Sequence, residues 1–188
     1  AHSINSRDTS ITQNLANAYS ENGDAQRALQ LYQEIEDKIE LDFIALYNFA
    51  NILMDNGELD RAIEKYQKSI KLNPQYSASH VNLANLFKNM KRLKEARQLY
   101  ELAYQKFPRQ REVILNFALF LERSDENERA LEILSKSLAA SPGDLDMLFT
   151  RGKVLSRAGR HDEALEIFDE LIISSPKSSL EVGLYFER

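Results

Sequence analysis

Not one of the 188 residues is cysteine, which excludes a disulfide framework, an iron–sulfur cluster, a thiolate zinc site and a cysteine nucleophile. Histidine is nearly as scarce: His2, His80 and His161 supply metal or triad chemistry poorly, and no metal, cofactor or catalytic residue is expected. Four prolines and six glycines are too few for a turn-rich sandwich or barrel. No apolar run reaches the roughly 18 residues a membrane-spanning helix needs, and no signal-like segment opens the chain. Positive charge is in deficit as well, with 24 Lys and Arg against 29 Asp and Glu. That balance, a net −5 with pI about 5.3, speaks against a coat for nucleic acid. What is present is apolar: 43% hydrophobic beside 28% charged residues supports a packed core rather than disorder.

The few prolines are ordered. Pro74, Pro108, Pro142 and Pro176 are each 34 residues apart. Ala28, Ala62, Ala96, Ala130 and Ala164 repeat with the same period, as do Tyr32, Tyr66, Tyr100, Leu134 and Phe168 four places later. Small residues stand twelve places before those alanines: Ala16, Ala50, Ala84, Ala118 and Gly152. Leu15, Phe49, Leu83 and Phe117 precede them, and then Arg151 breaks the apolar set. Gly23, Gly57 and Gly159 keep the phase, with Lys91 and Asp125 in their place in the two middle repeats. Five repeats therefore run 9–42, 43–76, 77–110, 111–144 and 145–178 without insertion.

Each repeat reads as two helices. In repeat 2, Leu46, Phe49, Ala50 and Leu53 form one apolar stripe, and Asn56-Gly57 closes the helix. Asp60 is expected to cap a second helix from about 61 to 72, carrying Ala62, Ile63, Tyr66 and Ile70. Asn73-Pro74 stops it, because the residue before proline is pushed out of the α region. Two short helices cannot bury both faces alone, so neighbouring repeats must stack.

These units resemble tetratricopeptide repeats over 9–178, and the stretch 47–74 comes close to the family consensus. Glu40 stands where the first repeat should have proline, no repeat has the early tryptophan, and Arg151 fills an apolar slot. The resemblance implies an all-α, right-handed superhelical solenoid of five helix-turn-helix units with a concave groove for peptides or proteins. Residues 1–8 are expected to form a frayed polar tail, and 179–188 a capping helix or the start of a severed sixth repeat. Leu180, Leu184, Tyr185 and Phe186 are too apolar for a free surface, which points to a longer intact protein.

In this family the first helix of each unit lines the groove. Asn14, Asn48, Asn82 and Asn116 recur there, with Asn17, Asn51 and Asn85 three residues further on. An asparagine amide can pair with a peptide's C=O and N–H together, so the series can form a ladder for an extended main chain. It is similar to the ladder in the tetratricopeptide superhelix of O-linked N-acetylglucosamine transferase. Equally, such asparagines can hydrogen-bond between adjacent helices as ordinary consensus chemistry. Ile44, Tyr47, Val81, Leu115, Leu119 and Phe149 are expected on the same face, with Tyr47 and Phe149 as aromatic anchors. Lys88, Lys153, Arg123 and Arg157 are the cations placed to meet carboxylates there.

Repeat 3 carries net charge +5 and repeat 1 net −5, most of the basic cluster falling outside the groove. The slots that clamp acidic chaperone tails hold Gln13, Ala78 and Asn82, so a clamp of that kind is disfavoured. His80 reads as a half-buried structural residue, and the acidic run 125–128 lacks the glycine and spacing of a calcium loop. The expected function is a non-enzymatic scaffold that binds a protein or peptide, with neither nucleic acid nor membrane as partner. Two alternatives stand beside it: a substrate-selecting arm of a larger enzyme such as a glycosyltransferase, and a structural scaffold that self-associates through its C-terminal end. No targeting signal is visible, and the cytoplasm is the favoured compartment.

Overall fold

The computed structural model describes residues 2–174, with side chains from residue 8 to 173. Two compact bodies divide the chain, 1–106 and 107–188, and each is described by itself. In the first lie α1 (His2–Glu21), α2 (Ala25–Glu34), a 3-10 turn (Glu36–Lys38), α3 (Phe43–Asp55), α4 (Leu59–Leu72), α5 (Ser77–Asn89) and α6 (Leu93–Lys106). The second holds α7 (Arg111–Arg123), α8 (Asn127–Ala140), α9 (Leu145–Arg157) and α10 (His161–Ser174). The described residues contain no strand. Helix α1 begins at His2, so the expected frayed tail instead continues the first helix. The capping or severed helix expected over 179–188 lies outside the described residues.

The small periodic residues explain the pairing. Ala16, Ala28, Ala50, Ala62, Ala84 and Ala96 in the first body, and Ala118 and Ala130 in the second, are wholly buried. They let the backbones of each pair approach, while Tyr32, Tyr66, Tyr100 and Leu134, equally buried, fill the space beyond. Gly152 is the smallest case, because a Cβ there would lie 2.7 Å from the Phe168 ring.

Every first helix ends in the same way. Glu58 N–H donates to the Leu53 carbonyl at 2.9 Å and Gly57 N–H to Met54 at 3.0 Å, the double closure of a left-handed helix cap. Lys91 (φ 63°) and Asp125 (φ 59°) adopt that left-handed geometry without being glycine, with the corresponding bonds from Arg92 to Phe87 and from Glu126 to Leu121. Helix starts are capped by carboxylates at Asp24, Asp42 and Asp144. Asp60 is not one of them: α4 starts at Leu59 with Glu58 at its cap position, leaving Asp60 in the first turn. A carboxylate there still complements the positive helix end.

Repeat 1 departs where its proline is missing. Helix α2 stops at Glu34, and the chain folds into the 3-10 turn with Ile35 and Ile39 buried. Glu36 then reaches α4 of the next repeat, 2.5 Å from the Lys65 ammonium and 3.0 Å from the Arg61 guanidinium. An ion pair thus ties down a segment that helix and proline fix in repeats 2 to 4.

Candidate functional site

The two asparagine series have separate jobs. Tyr32 donates its hydroxyl proton to Asn17 Oδ1 at 2.9 Å, Tyr100 donates to Asn85 Oδ1 at 2.6 Å, and Tyr66 donates to Asn51 Oδ1. Each pair joins the first helix of a repeat to its own second helix, across a spacing of fifteen residues. The three tyrosines are wholly buried, and a buried hydroxyl without an acceptor costs about 1–3 kcal/mol. Burial pushes the Tyr32 phenol up to about 12, against the opposing bonds of Asn48 and Asn17. The Tyr66 phenol is raised for the same reason, with Asn82 acting against it. Both remain protonated donors at neutral pH, and the asparagine carbonyls stay committed as acceptors.

The leading series links one repeat to the one before. Asn82 Nδ2 donates to the Tyr47 hydroxyl at 3.1 Å and to Asn51 Oδ1 at 3.0 Å, and Asn48 bonds Tyr32. The expected interhelical role is therefore present in the first body. Asn14 is exposed on α1. In the second body the Asn116 amide donates to its own helix at the Glu112 carbonyl, 2.9 Å away.

The apolar candidates divide. Val81 is wholly buried and leaves the set of surface residues, because α5 is buried around most of its circumference. Ile44 is exposed; Tyr47 is half-buried, edge-on to Tyr76 at 5.2 Å. Leu115 and Leu119 are half-buried on α7. Phe149 leans on Phe168 at 5.9 Å, and the exposed Lys153 holds its ammonium 6.0 Å from the Phe149 ring. Lys88 donates to Asn85 Oδ1 at 2.8 Å. Arg157 is bound to Glu122 at 3.3 Å, and Arg123 is exposed.

The tyrosine hydroxyls are the functional groups that sequence reasoning missed, although the sequence carries a signal for them. Asn17, Asn51 and Asn85 occur with Tyr32, Tyr66 and Tyr100, whereas Leu119 occurs with Leu134 and Lys153 with Phe168. Amide and hydroxyl are kept together or lost together.

His80 is 1% exposed, more deeply buried than expected, with Nδ1 3.2 Å from the Tyr76 carbonyl. Burial lowers its pKa; the Tyr76 carbonyl works against this and the charge of Lys106 with it. Above a pH of about 6.5, where the unfolded histidine is neutral too, its full contribution to stability is present. As pH falls further the unfolded chain takes up the proton first, so that contribution is lost toward the folded pKa. Melting temperature should therefore drop more steeply from about pH 7.5 to about pH 5 in the wild type than in His80→Gln. Parallel curves would remove His80 as a pH-sensitive element. Among the described residues no three His, Asp or Glu side chains are grouped to hold a metal, and no helix is long and apolar enough to cross a membrane.

Antiparallel helix pairs with alanine at their crossings, left-handed caps and a 34-residue period define an all-α repeat protein. Four models of the family match: "TPR repeat" over 50–91, "YpiA-like, C-terminal tetratricopeptide repeats" over 78–144, and "Tetratricopeptide repeat" over 121–182 and 10–35. The chain belongs to the tetratricopeptide-repeat family. Among solved structures it is similar to MamA from Desulfovibrio magneticus RS-1, with 19% identity and a TM-score of 0.72 over 91% of this chain and 97% of that one. It is also similar to a thermophilic TPR protein of Thermus thermophilus, with 20% identity and a TM-score of 0.72 over 95% and 96% of the two chains. At such identities the likeness concerns the fold. No curated protein sequence matches the chain. Membership of that repeat family points to a scaffold for protein interactions.

Proposed function

We propose that the asparagine face of α1, α3 and α5 holds an extended segment of a partner protein by its main chain. One observation carries this reading. Asn17 and Asn51 have their carbonyls fixed by tyrosine, and no described residue engages their amide nitrogens. Asn82 is the reverse, with its nitrogen committed twice and its carbonyl oxygen left as an acceptor. The face thus offers pre-oriented donors and an acceptor to the C=O and N–H of a peptide. Each neutral bond adds only about 0.5–1.5 kcal/mol, so the ladder fixes register with little sequence preference. Tyr47 and Ile44 supply apolar contact and Lys88 a positive charge beside it.

The test is selection of binders from a displayed random-peptide library, followed by titration of the best peptides. Asn48→Arg, which fills the face and gives up the Asn48 bond to Tyr32, is expected to weaken them at least tenfold, about 1.4 kcal/mol, in a chain that circular dichroism shows still folded at the titration temperature. Lys136→Ser on the exposed side of α8 leaves them unchanged. Failure to select any peptide, or peptides indifferent to Asn48→Arg, would overturn the proposal.

A further inference from the structure

The phased slot occupied by Phe49, Leu83 and Phe117 is buried in repeats 2 to 4, and repeat 5 puts Arg151 there. A cavity of about 200 Å³ opens at that point between α8 and α9, walled by Leu131 and Leu155 beside the Ser135 hydroxyl. Arg151 is half-buried on α9, and its Nε is fully buried with no hydrogen-bond partner among the described residues. Arg109 and Arg123 have no ion pair among the described residues either, but both stand exposed to water.

The carboxylates nearest the cavity are held by other cations, although the charge of Arg151 also acts on Glu163. Glu132 is held by Lys136 at 2.6 Å, and Glu128 lies 3.6 Å from Arg160, which also grips Glu163 through two bonds. Glu128 and Glu132 are far more exposed than Arg151 and form the rim of the cavity rather than its floor. A guanidinium is a directional receptor for a carboxylate, which it binds through paired N–H donors.

From this geometry we infer that the Arg151 cavity is a carboxylate-binding site, taking an acid group on a short apolar stem. The guanidinium meets the carboxylate, the stem rests against the small exposed edge of Leu131, and the rim glutamates accept N–H groups next to it. The site lies on α8 and α9 and uses none of the asparagines, so it stands or falls separately from the peptide-binding reading.

Two sources of such a group can be told apart with small probes: N-acetyl-glutamate α-amide for an acidic side chain, and N-acetyl-leucine for a chain end. The readout is the Nε–H resonance of Arg151 in a nitrogen–proton NMR spectrum, assigned by its disappearance in Arg151→Leu. A saturable shift with one of the two acids, and none with the matching neutral amide, is the expected result. Binding weakens at least tenfold in Arg151→Lys, which keeps the charge without the fork, and is unchanged in Arg123→Leu. Arg151→Leu reproduces the residue of repeat 3, and its folding is checked by circular dichroism before titration. No saturable shift with either acid, an equal shift with sulfate or the neutral amides, or undiminished calorimetric binding in Arg151→Leu would each overturn the assignment.

Discussion

Phe49→Ala is expected to destabilise the N-terminal body by about 4 kcal/mol, the centre of the range for deleting a buried aromatic side chain. The ring is wholly buried and lies parallel to Tyr32 of the preceding repeat, with centroids 5.2 Å apart and planes 9° from parallel. Arg61 and Lys65 stand 5.7 and 5.8 Å from its centre, so the cavity also removes the surface on which two cations rest. In a repeat array stability is a sum of repeat terms and interface terms, and Phe49 belongs to an interface. The loss should therefore appear as early melting of α1 and α2, seen by hydrogen exchange, ahead of α3 to α6. Phe49→Leu, which copies Leu83 of the next repeat, recovers most of it. A urea-derived loss below about 1.5 kcal/mol would mean that the ring does not hold the two repeats together.

The second large effect is pairwise. Asn51→Leu leaves the buried Tyr66 hydroxyl without its main acceptor and is expected to lower stability by about 2 kcal/mol. Tyr66→Phe, which removes the donor, is expected to cost about 1 kcal/mol. The double variant should lose less than the sum, because no buried hydroxyl is then stranded and the half-buried Asn82, which loses Asn51, still keeps its bond to Tyr47. Repeat 4 already carries such an apolar solution in Leu119 and Leu134. A coupling energy of about 1 kcal/mol in the double-mutant cycle is the signature. Additivity within about 0.3 kcal/mol would show that the bond contributes nothing specific.

The fold is legible because its determinants are local and periodic: alanine at the crossings, a turn residue that accepts the left-handed region, and proline after the second helix. Even Lys91 and Asp125 can be placed at the turn by phase alone, and the backbone there has the geometry of Gly57. What cannot be read is whatever depends on a neighbouring repeat. A lone helix has one buried face, which would leave Val81 on the surface, but in a stack the first helix packs on more than one side. Ser79, His80 and Val81 are buried on α5 along with the stripe of Leu83, Ala84 and Phe87. The early stop of α2 depends likewise on Glu36 finding Arg61 and Lys65 in the next repeat. The candidate face is legible as a row of asparagines. Which amide atoms are committed to tyrosine becomes clear only once both helices of a repeat are in place.

The shared fate of amide and hydroxyl bears on how such an array can be rewritten. Changing one partner alone passes through a chain with a stranded polar group, a valley of about 1–3 kcal/mol in a fold that has little to spare. Copying or replacing a whole 34-residue segment carries both partners at once and crosses no such valley. A repeat of this chain is therefore best treated as an indivisible cassette, and grafts meant to transfer its asparagine face will keep their packing only when the tyrosine from the second helix travels with it.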